Sequence, residues 1–186
     1  MSRAYLQQRQ ITEVESQYYD LHYVEVGSWR NRLLIPMYDD TGDLTCFQGR
    51  ILNPSYTGTM KYRTAGPRPI YKPWDDAHGS VLVIVEGPFD LFAVQRVTPA
   101  VATLGTKSSK SQITTLIAML HSQVWEQVAI WYDPDAFSEG YSLQAVLQPH
   151  VTFDIPVIVY TDTKDPGECE PEQIRQVLSE LRPSTS

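Results

Sequence analysis

Hydrophobic and polar positions change their period along the chain, and the changes divide it in two. Residues 1–22 read as a short helical region, in which Thr12-Glu13-Val14-Glu15 has the form of a capping box that satisfies exposed backbone amides. From about Trp29 the pattern turns to strands: RLLIPMY, a turn at Asp39–Asp43, then LTCFQGRIL, which together predict a hairpin. Residues 53–80 are rich in Gly, Pro, Tyr and basic residues and predict an extended connection with one further strand at MKYRT. Pro73 to Gly79 marks a boundary between lobes.

After Ser80 short apolar runs alternate with helical segments. VLVIVE, AVATL, QVAIWYD and IPVIVYT predict four strands. Between and after them come four helices. PFDLFAVQRV tolerates Pro88 in its first turn, KSSKSQITTLIAMLH has a cap from Ser109 and Gln112, and SEGYSLQAVLQ and EPEQIRQVLSEL follow. The last of these keeps Ile174, Val177, Leu178 and Leu181 on one face. Such alternation implies a parallel sheet flanked by helices. The expected architecture is α/β: an α+β N-terminal lobe with a small mixed or antiparallel sheet over residues 1–78, then a domain with a four-stranded parallel sheet over 79–186.

Composition narrows the classes. With 42% hydrophobic and 20% charged residues the chain suits a soluble globular protein. No apolar run approaches the ~20 residues that span a bilayer, and no signal peptide opens the chain, so no membrane role and a cytoplasmic location are expected. Cys46 and Cys169 lie far apart, and with His22, His78, His121 and His150 they lack zinc-ligand spacing, so no structural zinc is expected. The net charge of −7 is unevenly spread. Residues 1–80 carry nine Lys/Arg and nine Asp/Glu, whereas residues 81–186 carry six and thirteen. An acidic C-terminal part suits a divalent-metal site as well as a solvated surface.

Ligands of an open parallel sheet bind beyond the C-terminal ends of its strands. Glu86 and Asp90 follow the first predicted strand, Asp133 and Asp135 the third, and Asp162, Asp165 and Glu168 the fourth. The acidic residues therefore converge on one edge, where their repulsion calls for Mg²⁺ or Mn²⁺. Asp133 and Asp135, two apart in extended chain, are expected on the same side. Two such ions suit phosphoryl transfer. Singly, an Asp after a strand is equally a helix cap or loop residue; the ordered set is more specific.

The order E-G-x-x-D, D-x-D, D-P resembles a Toprim domain, shared by DnaG-type primases, topoisomerases and small nucleases. Further segments resemble the primases among these. They are Tyr5-Leu6-Gln7-Gln8-Arg9-Gln10-Ile11-Thr12, Arg32-Leu33-Leu34-Ile35-Pro36, Phe47-Gln48-Gly49-Arg50, Lys61-Tyr62 and Ala102-Thr103-Leu104-Gly105-Thr106. The resemblance covers nearly the whole chain. It departs from the family after Asp133-Pro134-Asp135, where extra residues precede the glycine, and at Asp165-Pro166-Gly167, where a family carboxylate is replaced by Gly167. Neither the family's zinc-binding domain nor its helicase-binding domain is recognisable in these residues.

The resemblance implies a primase catalytic core that polymerises ribonucleoside triphosphates on a single-stranded DNA template. Glu86, Asp133 and Asp135 would be catalytic, and Glu86, Asp133, Asp135 and Asp165 would hold Mg²⁺ or Mn²⁺, with Asp90 and Glu168 in support. Arg32, Arg50, Lys61, Tyr62 and Arg63 would form one basic face that grips template or triphosphate. Gly105 and Thr106 would offer backbone amides to phosphate. Tyr71 and Trp74 are further stacking candidates, with packing as their alternative role. A separate zinc-binding subunit and a replicative helicase are the implied partners, and a compact version suits a phage or other mobile element acting in its host's cytoplasm. Two other readings stand beside this one: a Toprim nuclease using the same carboxylates, and a catalytically weak module that binds replication proteins.

Overall fold

The computed structural model describes residues 2–52, 60–73, 79–122, 124–159 and 165–181. Its chain divides into two compact units, Met1–Pro69 and Ile70–Ser186. Trp74 and Asp162 lie outside the described residues.

In the first unit, helices α1 (Ser2–Gln8) and α2 (Glu13–Tyr18) precede an antiparallel sheet of β1 (His22–Val24), β2 (Arg32–Tyr38), β3 (Leu44–Ile51) and β4 (Tyr62–Ala65), in that order. The expected capping box forms: the Thr12 N–H donates to Glu15 Oε2 at 2.8 Å and the Glu15 N–H donates to Thr12 Oγ1 at 3.1 Å. The β2–β3 turn closes on Asp39, whose Oδ1 accepts from the backbone amides of Thr41 and Asp43, both at 3.0 Å. Leu33, Ile35 and Met37 alternate into the core from β2, with Cys46 and Gln48 opposite them on β3. Period-two burial of this kind fixes the register, since a one-residue slip would turn the apolar set to solvent.

The second unit contains a parallel sheet, β6 (Ala100–Ala102), β5 (Val81–Val85) and β7 (Gln127–Trp131), in the spatial order β6-β5-β7. Helices α3 (Pro88–Gln95), α4 (Lys110–Ser122), α5 (Phe137–Leu147) and α6 (Pro171–Glu180) accompany it. Leu82 to Val85 and Val128 to Ile130 are fully buried, as continuous apolar strands covered on both faces require. The core continues through Val101, Leu116, Leu147 and Ile155.

Two expectations change. The fourth strand reduces, among the described residues, to one parallel bridge between Ile130 and Val157. There the Ile130 N–H donates to Pro156 O at 2.9 Å and the Ile158 N–H to Ile130 O at 2.8 Å, while Pro156 has no N–H to extend the ladder. The division of the chain falls before Ile70 rather than after residue 78. Tyr71 explains why: it exchanges backbone hydrogen bonds with Ala102 of β6, at 2.9 and 3.0 Å, and its buried ring meets Phe92 edge-on. That packing role is the one Tyr71 has.

Candidate active site

Three carboxylates converge at the C-terminal ends of the parallel strands. Asp90, Asp133 and Asp165 each present an oxygen atom, and these atoms lie within 4.8 Å of one another. Each is placed by a proline-started element. Pro88 opens α3 immediately after β5, which puts Asp90 in the first helical turn. Pro134 opens a 3-10 turn directly after Asp133, and Pro166 opens another directly after Asp165. Proline suits a first turn because its missing N–H would have no partner there.

Asp90 is the buried member. Its Oδ2 accepts the Gly87 N–H at 3.0 Å, and its Oδ1 accepts the Gly167 N–H at 3.1 Å, so one side chain fastens the DPGE turn to the start of α3. A Cβ on Gly167 would sit 2.8 Å from Asp90 Oδ1 and 3.2 Å from Asp165 Oδ1. These two oxygens crowd position 167 and leave no room for a side chain there. Burial pushes the Asp90 carboxyl well above the ordinary carboxylate range, and the charges of Asp133, Asp165 and Glu86 push it further.

An all-oxygen donor set of this kind suits a hard divalent cation such as Mg²⁺ or Mn²⁺. Oxygens on opposite sides of one Mg²⁺ at about 2.1 Å are about 4.2 Å apart, so a small contraction of the trio would enclose an ion. One oxygen each of Asp133 and Asp165 is sealed from solvent. The residues present fit the ion.

The predicted set is only partly brought together. Glu86 is half-buried at the end of β5 and acts on Asp90 and Tyr132 through its charge, but it is not one of the three converging residues. Asp135 is exposed and also outside the trio. The expectation that Asp133 and Asp135 share a side assumed extended chain; the 3-10 turn rotates the backbone by about 120° per residue and carries Asp135 away. Glu168 is exposed within the DPGE turn. Asp90, expected only to support the site, supplies its buried centre.

The loop after β6 is tied to the end of β5. The Gly105 N–H donates to Glu86 O at 3.2 Å, so the amide expected to meet phosphate is already engaged. The loop turns on Leu104 at φ 60° and Gly105 at φ 141°, and the left-handed turn at Leu104 costs about 1–2 kcal/mol. What holds it is a set of buried bonds. Thr103 Oγ1 lies 2.9 Å from the Tyr132 hydroxyl, and Gln112 Nε2 donates to Thr103 O at 2.7 Å. Thr106 is half-buried beyond this clamp.

In the first unit the pleat separates the residues expected to form one basic face. Arg50 pairs across strands with Tyr62, and Gly49 with Arg63, so Arg50 and Arg63 stand on opposite faces of the sheet. Arg50 lies 5.2 Å from the Tyr5 ring centre and 5.0 Å from that of Tyr62, and its Nη1 donates to the Tyr62 hydroxyl at 2.6 Å. On the other face Arg63 stacks 4.2 Å from the Trp29 ring centre and donates to Ser28 O at 3.1 Å. Arg32 shares that face but is buried, with Nη1 on Gly49 O at 2.7 Å and Nη2 on Met60 O at 3.0 Å. It straps β3 to the segment that precedes β4. Lys61 is exposed, with its ammonium 6.0 Å from the Tyr62 ring centre.

No family model matches the chain. It is 29% identical over 153 residues to the DNA primase of Clostridium acetobutylicum, a match covering 75% of this chain and 24% of that protein. A second match, to the DNA primase of Listeria monocytogenes, has 24% identity over 174 residues, 84% of this chain and 27% of that protein. The chain thus spans about a quarter of the length of these curated relatives. Among solved structures, the DnaG catalytic core aligns with a TM-score of 0.75 at 19% identity, over 96% of this chain and 72% of that one. The DnaG primase catalytic domain bound to ssDNA gives 0.70 at 18%, over 96% and 71%. The primase fragment of the bacteriophage T7 primase-helicase protein gives 0.66 at 17%, over 94% and 72%. These likenesses run through both units, and the chain has the fold of the DnaG-type Toprim primase catalytic core.

Proposed function

We propose that the chain is the catalytic core of a DNA primase, joining ribonucleoside triphosphates on a single-stranded DNA template with Mg²⁺ or Mn²⁺. The observation that carries this reading is the convergence of Asp90, Asp133 and Asp165 at the strand ends of a chain with the primase fold. Asp133 and Asp165 are the proposed first ligands, and Asp90 holds the DPGE turn so that Asp165 stays in reach. When bound, the cation neutralises phosphate charge, the main demand of phosphoryl transfer. Glu86 stands beside the trio at the end of β5, placed to take up a proton from the attacking hydroxyl or to complete the metal shell. The exposed Arg63 with Trp29 offers a cation on an aromatic ring to a single strand. A separate zinc-binding subunit and a replicative helicase are the proposed partners.

The test is primer synthesis on single-stranded DNA with ribonucleoside triphosphates and Mg²⁺ or Mn²⁺. Short RNA products are expected, reduced by about 10²-fold or more in Asp133→Asn and Asp165→Asn. Cleavage of the template without triphosphate-dependent product would replace this reading with a nuclease.

A further inference from the structure

A buried phenol borders the three carboxylates. Tyr132 follows β7 and directly precedes Asp133, and its side chain is enclosed by the core. Phenylalanine would fill nearly the same space, whereas a buried hydroxyl is unfavourable unless it has a partner. The partner is Thr103 Oγ1, at 2.9 Å. Thr103 follows β6, and β5 lies between β6 and β7, so this bond joins the ends of the two outer strands. It passes close to the end of the middle strand as well, since the Thr103 N–H donates to Val85 O at 3.1 Å.

The sense of the bond follows from counting protons. Thr103 Oγ1 lies 2.9 Å from Gly105 O and 3.3 Å from Val85 O, and a carbonyl oxygen can only accept. The single Thr103 hydroxyl proton goes to Gly105 O, the nearer of the two, so Tyr132 is the donor to Thr103. The Gly105 N–H donates in turn to Glu86 O at 3.2 Å. Three hydrogen bonds thus lead from the residue before Asp133 to the backbone of Glu86, and bonds linked in this way strengthen one another. They act on a strained loop: Leu104, between Thr103 and Gly105, is held at φ 60°. Gln112 Nε2 fixes the Thr103 carbonyl at 2.7 Å, which leaves the Thr103 hydroxyl as the part that answers to Tyr132.

We propose that Tyr132 is a positioning residue, whose hydroxyl, through Thr103 and Gly105, sets the place of Glu86 relative to Asp133. The proposal rests on the primase reading and adds to it the link by which β5 and β7 present their acidic residues together. The DPGE turn is fastened separately, by the bonds of Asp90 to Gly87 and Gly167. Loss of the Tyr132 hydroxyl therefore displaces Glu86 and leaves the Asp90 fastening in place.

Tyr132→Phe keeps the ring and removes only the hydroxyl. In primer synthesis on single-stranded DNA it should lower kcat by about 10- to 100-fold, the scale of a small misplacement at a reacting group, with KM for the triphosphate within about twofold. Thr103→Val should lose rate in the same way, and Thr103→Ser should recover most of that loss. The double variant Tyr132→Phe/Thr103→Val should lose no more than the larger single loss, because both changes break one series of bonds. A second readout needs no activity. In Tyr132→Phe the Gly105 amide should exchange hydrogen faster by about tenfold beyond any change at Ile84 and Ile130, whose amides in the buried strands report global opening. Wild-type kcat in Tyr132→Phe, or a loss confined to KM, would overturn the proposal while leaving primer synthesis, and hence the primase reading, intact. Absence of primer synthesis by the wild-type chain would overturn the primase reading, and the Gly105 amide then decides on the link alone. Exchange there that rises no more than at Ile84 and Ile130 overturns the proposal. Should Tyr132→Phe fail to fold, the comparison of Thr103→Val with Thr103→Ser decides.

Discussion

At Asp90 one side chain meets two backbone amides that lie far apart in sequence, those of Gly87 and Gly167. Gly167 is tolerated there because it has no Cβ. Replacing it by alanine places a methyl group 2.8 Å from one carboxylate oxygen and 3.3 Å from the Asp90 backbone nitrogen, and the backbone neighbour cannot simply rotate away. Gly167→Ala is therefore expected to lose about 1–3 kcal/mol in a urea melt. It should also weaken Mn²⁺ binding by about tenfold or more, because the displaced oxygens belong to Asp90 and Asp165. Unchanged stability and Mn²⁺ affinity would mean that the turn is not held by Asp90. None of this was legible from residue order. Glu86, Asp133 and Asp165 could be marked as acidic residues at strand ends, but the bond between residues 90 and 167 exists only once the chain is folded. Arg32 shows the same limit: its place in a basic motif suggested a ligand contact, and its guanidinium is used on Gly49 and Met60 carbonyls.

Elements were more legible than residues, because caps and periodicity are local. The capping box expected at Thr12 and the cap expected from Ser109 and Gln112 both form, yet they differ in surroundings. That of α2 is exposed, while that of α4 uses Gln112, whose Oε1 accepts the Ser109 N–H at 2.9 Å and whose Nε2 reaches Thr103 O in the interior. Loss of an exposed cap costs about 1 kcal/mol, whereas stranding buried partners costs about 1–3 kcal/mol for each. Thr12→Ala should thus be mild and Gln112→Ala clearly larger in denaturant unfolding, and the latter should also loosen the clamp on Glu86. Equal losses would show that the interior bond of Gln112 contributes nothing. Where elements were misjudged, the cause was geometric. Treating D-x-D as extended chain overlooked that Pro134 starts a helical turn. Grouping Arg50 with Arg63 overlooked the alternation of side chains across a pleat. IPVIVYT has the composition of a strand, but Pro156 interrupts its pairing.

At the scale of the molecule, the candidate site places mutually repelling carboxylates against a buried one, and this has a thermodynamic signature. The Asp90 carboxyl is raised by burial first and by Asp133, Asp165 and Glu86 next. A carboxyl raised on folding binds its proton more tightly in the native state. Its contribution to stability is complete below the unfolded value near 3.9 and is lost as pH rises through the folded value. Asp20 and Asp39 are shifted the other way by their hydrogen bonds to Tyr38 and Thr41, so what they add is lost only as pH falls below the ordinary carboxylate range. Between about pH 5 and about pH 8, the chain in EDTA should therefore melt at lower temperature as pH rises. A divalent cation competes with that proton and relieves the same repulsion. At roughly 100 times its Kd it should add about 2.7 kcal/mol, with the larger gain at the alkaline end. Asp165→Asn removes one of the charges acting on Asp90, and should flatten the slope in EDTA and diminish the gain from Mn²⁺. Melts in EDTA and in Mn²⁺ across that range test both effects. A flat profile in EDTA that Mn²⁺ leaves unchanged would show that the three carboxylates are not the cation site, and the proposed assignment of the metal to Asp133 and Asp165 would fall with it.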